Sequence, residues 1–506
     1  MRRRLTALVL FLLLGLTACT DAPVTVPEEP EVAPTPSTTP KQTQFTLPYF
    51  PDANLHPILG SNRANMVVNS LVYQGLFELD NSFTPHGVLC SDYSVSNDGL
   101  IWTFTLSDMQ FSDGTPVTAA DVALSLETAR SSTLYAGRLS TIQDIQTGTD
   151  RSVTLTLTQP NSALPSLLDI PVIHDLQNGS MPLGTGFYTF VEDNGPLRLI
   201  RTSRAPDTAP EEIPLLAIED ADDLIYAFDA GNISLAVSDL TGSNVLGYSS
   251  GYEAFDFPTT TMLYVGFQTE QGPCANLLVR QAVSRSFDRD TVAGSLLAGH
   301  AKATSLPVSP CSTLYNPSLD QDGGYDPYAA KELLTQAGFS EGEDSLLYQG
   351  HNPLSLTFVV NTDNSFKLTI AEYLTDQLTG AGINVELKKL AWDDYLAALE
   401  ADEFDLYLGE VTLTADFDLS SLLSPDGPLN YGGYANTQMD SLRAFLRSSG
   451  KGNALLKLFH AEAPFAPLCF KNHSVLTQWQ AISGLEPTRQ NPFYHLESLR
   501  FGAEFR

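Results

Sequence analysis

The stretch NDGLIWTFTLSDMQFSDGTPVTAADVALSLETA, Asn97 to Ala129, decides how this chain folds. Trp102, Phe104 and Leu106 alternate with Thr103, Thr105 and Ser107, the period of two that a half-buried strand requires. Ser112-Asp113-Gly114 supplies a turn, in which Gly114 takes a positive φ without a steric penalty. Thr118 is placed as a helix N-cap, and Asp121 stands three residues later, where its carboxylate can answer the cap. Apolar residues then recur at Val122, Leu124 and Leu126. The reading is strand, turn, capped helix.

The second half repeats this grammar. Asp326 caps and Pro327 starts a helix that Gly338 stops. Leu354 to Val360 reads as a strand and Phe366 to Leu378 as a helix. Ile383, Val385 and Leu387 alternate in a second strand. Trp392 to Leu399 reads as a helix and Phe404 to Leu408 as a third strand. Alternating strands and helices with short connections predict an α/β fold with a mainly parallel open sheet. Ligands bind such sheets beyond the carboxyl ends of the strands.

A chain of 506 residues exceeds one ordinary core and predicts two or three domains. Its formal net charge of −32 repels nucleic acid and anionic lipid as direct partners. Arg2-Arg3-Arg4 followed by apolar Leu5 to Leu14 is a targeting leader, too short to span a bilayer as a stable helix. No other segment reaches the 18 or so consecutive apolar residues that a span needs. Residues 20–44 hold Pro23, Pro27, Pro30, Pro34, Pro36 and Pro40 with Glu28, Glu29 and Glu31. They cannot bury a core and read as a disordered tether, roughly 80 Å long if extended at ~3.1 Å per residue. Cys90 and Cys469 lie in apolar surroundings and read as small core residues. Whether Cys274 and Cys311 pair is left open by the sequence.

Enzyme motifs do not hold up. Gly247-Tyr-Ser-Ser-Gly251 matches G-x-S-x-G, but a nucleophile elbow needs a strand before and a helix after. Here Thr241-Gly-Ser-Asn precedes and Tyr252-Glu-Ala-Phe-Asp-Phe-Pro follows, which reads as loop into strand. The eight His are scattered, with none at i, i+4 spacing, and predict no metal cage. Asp320 to Asp326 is acid-rich but lacks the spacing of a calcium loop. The chain is predicted to catalyse nothing and to carry no cofactor.

Six segments in order resemble the peptide/nickel solute-binding proteins of ABC importers, the bacterial extracellular solute-binding proteins of family 5. They are Asn69 to Phe77, Phe111-Ser-Asp-Gly-Thr-Pro-Val-Thr-Ala-Ala-Asp-Val122, Pro182-Leu-Gly-Thr-Gly-Phe-Tyr188, Leu278-Val-Arg-Gln-Ala-Val283 with Ser286-Phe-Asp-Arg289, Tyr325 to Phe339, and Asn430 to Asn436. The resemblance covers roughly residues 45–506. It implies a fold like the type II periplasmic binding proteins: two α/β lobes joined by a hinge, an extra smaller domain, and a ligand cleft between the lobes. Lobe I would comprise 45–65, 183–265 and 475–506, domain II 66–182, and lobe III 266–474. Leu16-Thr17-Ala18-Cys19 resembles a lipobox, so that residues 1–19 would be a lipoprotein signal peptide ending in a lipidated Cys19.

The implied function is an extracytoplasmic, membrane-anchored monomer. It would capture oligopeptides and deliver them to an ABC permease, whose ATPases it meets only indirectly. Receptors for a nickel chelate, haem or an oligosaccharide, and a sensory lipoprotein without transport, are the alternatives. Asp416 matches by position the family's Asp that takes a peptide ammonium, although the neighbouring Trp and Asp-Pro of that pattern are absent. Asn361 stands where dipeptide receptors carry an Arg for the peptide carboxylate, and Asn cannot supply that bidentate clamp. Tyr431 is expected to line the cleft and Tyr434 to pack in the core.

Overall fold

The opening stretch folds as its residues dictate. Ile101–Leu106 is a strand with Trp102, Phe104 and Leu106 buried. Gly114 turns the chain at φ 89°, and Ala119–Ala129 is a helix with a complete capping box. Thr118 Oγ1 accepts from the Asp121 amide at 3.4 Å, and Asp121 Oδ2 accepts from the Thr118 amide at 2.9 Å. Val122, Leu126 and Ala129 form the buried face, whereas Leu124 is 42% exposed. Spacings of four and three, not two, keep residues on one helical face. The strand belongs to a four-stranded antiparallel sheet in the order Cys90–Val95, Ile101–Leu106, Ser152–Leu157, Ile142–Thr147.

This computed structural model describes residues 44–176, 180–191, 193, 195–243, 247–248 and 251–502. All lie in one unit, Lys41–Arg506. The signal peptide, Cys19 and the tether up to residue 43 fall outside the described residues.

A second four-stranded sheet runs Leu47–Tyr49, Glu212–Ala217, Arg198–Arg201, Tyr188–Val191, with one parallel pairing. Two glycines of the Pro182–Tyr188 motif let this part approach the helix Arg63–Val72. A Cβ on Gly184 would stand 2.0 Å from the Val72 carbonyl oxygen, and one on Gly186 2.3 Å from that of Leu71. The Gly186 amide donates to Val72 O at 2.8 Å instead. The motif is a requirement for close backbone contact.

The repeating grammar of the second half is present as Ser355–Asn361, Ser365–Gly380, Asn384–Leu390, Trp392–Glu400 and Leu406–Thr412. The sheet they enter is mixed, not mainly parallel. Ser355–Asn361 pairs in parallel with Asn384–Leu390 and with Leu406–Thr412. Leu406–Thr412 then pairs antiparallel with Tyr252–Phe267, which pairs antiparallel with Phe465–Gln478. Two long strands from outside the grammar extend the sheet, and the short strands Leu235–Ser238 and Ala301–Ala303, both paired with Phe465–Gln478, bring it to seven. Along Met262–Phe267, alternate residues enter opposite cores: Leu263, Val265 and Phe267 on one face, Met262 and Tyr264 on the other.

These two long strands also leave that part of the molecule. Phe257 and Val475 belong to the core shared with Phe45, Phe104 and Tyr188. The register breaks between Pro258 and Met262, on the stretch between the two cores. Threonines replace the lost ladder bonds there. Thr259 Oγ1 donates to Lys471 O at 2.7 Å, and Thr260 Oγ1 to Leu413 O at 2.6 Å. A bulge of this kind bends a strand while keeping its polar groups satisfied.

Other motif residues are also scaffold. Arg280 donates to the carbonyls of Ala463, Cys274 and Glu462 at 3.0, 3.0 and 2.8 Å, and Arg289 to Pro467 O at 2.6 Å. Asn430 braces its loop through Ser424 O and Tyr434 O. Asp320 accepts from Tyr315 Oη at 2.6 Å and from Ser305 Oγ at 2.8 Å, so the acid-rich segment is tied into the protein. Cys90, Cys274, Cys311 and Cys469 are free thiols, which answers the question of the Cys274–Cys311 pair. Tyr252–Phe267 follows the G-x-S-x-G match, so the segment after it is strand rather than helix; Ser249 itself lies outside the described residues.

Candidate functional site

A cavity of about 450 Å³ lies at the bulge between the two cores. Thr259, Thr261 and Thr414 line it together with the ionisable groups Arg63, Arg138, His473 and Arg489. They come from three distant regions of the chain, so only the fold assembles them.

Arg63 is the first residue of the helix Arg63–Val72, which Asn62 caps by accepting from the Asn65 amide at 3.1 Å. The helix dipole disfavours a cation at that end. Burial pulls the guanidinium below its ordinary value, and Asp239 opposes the shift. Arg63 Nη1 donates to His473 Nδ1 at 2.8 Å. Arginine has no acceptor, so His473 Nδ1 is unprotonated. Burial, and then the charge of Arg63, push His473 down to about 3. Asp239 accepts from Lys471 Nζ at 2.8 Å, and Lys471 lies 3.5 Å from Glu410.

Across the cavity, Asp169 is 2% exposed and binds Arg138 at 2.6 Å. Arg489 Nη2 stands 3.6 Å from the same carboxylate, and Gln490 Nε2 also donates to it. The Arg138 guanidinium lies 5.0 Å above the Tyr135 ring, a cation–π contact. Burial first, and then repulsion by Arg138, lower Arg489 to about 10. The Arg489 Nε and Nη2 atoms are buried and have no hydrogen-bond partner among the described residues.

The segment after the strand Leu406–Thr412 forms the wall between this cavity and a second one. Leu413 and Thr414 face the first, while Ala415, Asp416 and Phe417 face the second, of about 360 Å³. Phe83, Tyr93, Asn161, Asp418, Arg443 and Arg447 are among the residues that line the second. Asp416 Oδ2 accepts from Asn161 Nδ2 at 3.0 Å, and Oδ1 from Thr414 Oγ1 at 2.5 Å. Burial raises its carboxyl above the ordinary value, against the pull of these two bonds. Phe83 and Phe417, both at positive φ, meet edge to face at 5.3 Å.

The structure therefore places Asp416 at a cavity and does not bring the other two expected ligand residues there. Asn361 ends its strand 7% exposed, accepts from the Asp363 amide at 3.1 Å, and lines neither cavity. Tyr431 packs edge-on against Tyr407 at 5.9 Å, beside the core that buries Tyr434. Cys19 lies outside the described residues. Arg63, Arg138 and Arg489 were missed by sequence reasoning. None falls within a quoted motif, and only Arg63 carried a signal, a cation in the first turn of a helix that otherwise begins with a good cap.

The family model described as bacterial extracellular solute-binding proteins, family 5 middle, matches residues 84–430. The chain is 26% identical over 434 residues to the glutathione-binding protein GsiB of Salmonella typhi, covering 78% of this chain and 81% of that protein. Its fold resembles the oligopeptide-binding protein AppA of Bacillus subtilis, solved with a nonapeptide, at a TM-score of 0.59 and 19% identity over 91% of this chain and 99% of that one. It also resembles NikZ of Campylobacter jejuni, solved with Ni(L-His), at a TM-score of 0.62 and 19% identity over 90% and 99%.

Proposed function

The chain belongs to the bacterial extracellular solute-binding proteins of family 5, and from that premise we propose that it captures peptides outside the cytoplasm and delivers them to the permease of an ABC importer. The family is one of binding proteins rather than enzymes. One observation carries the reading: the cavity at the strand bulge, lined by ionisable groups from both ends of the chain, stands where the two cores join.

In this reading lobe I is 45–65, 183–265 and 475–506, domain II is 66–182 and lobe III is 266–474. The strands Tyr252–Phe267 and Phe465–Gln478 are the hinge. Bending at Pro258–Met262 would move one core against the other while each keeps its packing. An extended peptide lies along Thr412 to Asp418, held by main-chain hydrogen bonds as an added strand would be. Asp416 then exchanges Asn161 for the peptide ammonium, a contact favoured by its enclosed position. Cys19 carries lipid, and residues 20–44 tether the body to the membrane. Among the described residues no helix is long and apolar enough to cross a membrane.

Native mass spectrometry of the protein purified without denaturation tests the reading directly. A co-purifying peptide mass is expected, and adding that peptide should shrink the radius of gyration in small-angle scattering. A chain that arrives empty and whose melting temperature no peptide raises would end the proposal.

A further inference from the structure

The protein carries 59 acidic against 27 basic residues, yet the cations Arg63, Arg138 and Arg489, with the neutral His473, face the hinge cavity and no carboxylate lines it. The nearby acids do not balance the cations. Asp169 alone serves both Arg138 and Arg489, at 2.6 and 3.6 Å. On the other side Arg63, Lys367 and Lys471 face two carboxylates, Asp239 and Glu410. Each side keeps one unmatched positive charge. Such a charge is costly where it is buried, as at Arg489, unless an anion meets it; Arg63 is more exposed and pays less. Arg489 shows the imbalance in its geometry, since its buried Nε and Nη2 hydrogens reach no acceptor among the described residues. Arg63 adds to the same field from a helix terminus that is itself positive.

Resting on the reading that solute binds in this cavity, we infer that the solute is a dianion: a peptide-sized molecule with two carboxylates. One meets Arg489 beside Arg138, and the other meets Arg63. The guanidinium fork matches a carboxylate in two parallel hydrogen bonds, which no hydroxyl or amide carbonyl reproduces. The threonines that also line the cavity, Thr259, Thr261 and Thr414, add no negative charge. Asp416 faces the adjoining cavity, so a cationic end of the same molecule has a separate place. An acidic peptide with a free carboxyl terminus satisfies all three groups, whereas a neutral or basic one leaves the arginines unmatched.

The test uses the full chain and the tripeptides Ala-Glu-Ala, Ala-Glu-Ala-amide, Ala-Gln-Ala and Ala-Gln-Ala-amide, titrated by calorimetry. Affinity should fall roughly tenfold or more for each carboxylate removed. Arg489→Gln and the more exposed Arg63→Gln should each lose most of that discrimination, and circular dichroism on both variants separates loss of recognition from loss of fold. Equal affinity for the four peptides overturns the dianion and leaves peptide capture standing. If none binds, melting curves in millimolar glutarate decide. A rise in the wild type that is absent in Arg63→Gln supports the anion site and removes the peptide reading. No rise overturns both.

Discussion

Asn161 Nδ2 donates to Asp416 Oδ2 across 3.0 Å, joining side chains 255 residues apart in sequence. A second link lies beside it, where the Ser162 amide donates to Arg447 O at 2.7 Å. The carboxylate that the sequence assigned to a ligand is thus also a tie between two stretches of chain that line one cavity. A hydrogen bond to a charged group contributes about 1.5–3 kcal/mol. In a double-mutant cycle, Asn161→Ala and Asp416→Ala should couple by at least about 1 kcal/mol in urea unfolding. Strict additivity of the two losses would show that the bond contributes nothing to the folded protein.

Asp169 is the one carboxylate paired with both Arg138 and Arg489, so replacing it leaves two buried cations facing each other. Asp169→Asn should cost about 3–5 kcal/mol, read from the urea midpoint at unchanged slope. Adding Arg489→Met to that variant should recover part of the loss, because one of the stranded charges is gone. A double variant no more stable than Asp169→Asn would place the loss in packing instead.

His473 is held neutral in the fold and titrates at about 3, against an ordinary 6.5. Above pH 6.5 both the folded and unfolded forms are neutral and its contribution is fully present. As pH falls below 6.5 the unfolded form takes up a proton that the folded form does not, and stability is lost toward pH 3. The melting temperature should therefore drop between pH 6.5 and 5. His473→Gln, which still offers an acceptor to Arg63, should flatten that drop. Parallel curves for the two proteins would assign it to other groups.

Cysteine reactivity should separate by position. Burial raises Cys90 to about 11 and Cys469 to about 12, and pushes Cys274 higher still. Cys311 is the least buried of the four. Because thiolates react and thiols do not, an alkylating reagent at pH 8 should label Cys311 first, and the other three only after denaturation. Peptide mapping that finds a Cys274–Cys311 bridge would contradict the four free thiols.

The lipidation proposal for Cys19 has a simple readout. Cys19→Ser should move the protein from the membrane fraction to the soluble extracytoplasmic fraction without altering the fold of the body. A mutant that stays with the membranes would assign anchoring to something other than this residue.

Local order was legible in the sequence wherever a short-range rule governs it. The strand Ile101–Leu106, the Gly114 turn and the capping box of Thr118 and Asp121 follow from neighbours within four residues. So do the helix begun by Asp326 and Pro327 and the helix read over Phe366 to Leu378, which runs Ser365–Gly380. The motifs were legible for the same reason, and most are scaffold: Gly184 and Gly186 permit close approach, Arg280 and Arg289 satisfy carbonyls, and Asn430 braces a loop. The direction of the central sheet was not, because Tyr252–Phe267 and Phe465–Gln478 pair across some two hundred residues and no local pattern encodes their orientation.

By itself, then, the sequence determined the family, the α/β class and the placement of Asp416 just beyond a strand end. Each depends on residue order or on contacts close along the chain. The tertiary structure alone decided which charges meet. Arg63, Arg138 and Arg489 are ordinary residues in sequence, and they gather as cations around one cavity, with the neutral His473, only because the folded chain brings three remote segments to the bulge at Pro258–Met262. It also decided that Asn361 and Tyr431 stand away from the two cavities, since a side chain's direction at a strand end or in a loop depends on what packs against it. Electrostatic character is a sum over distances in space, and those distances do not exist until the chain has folded.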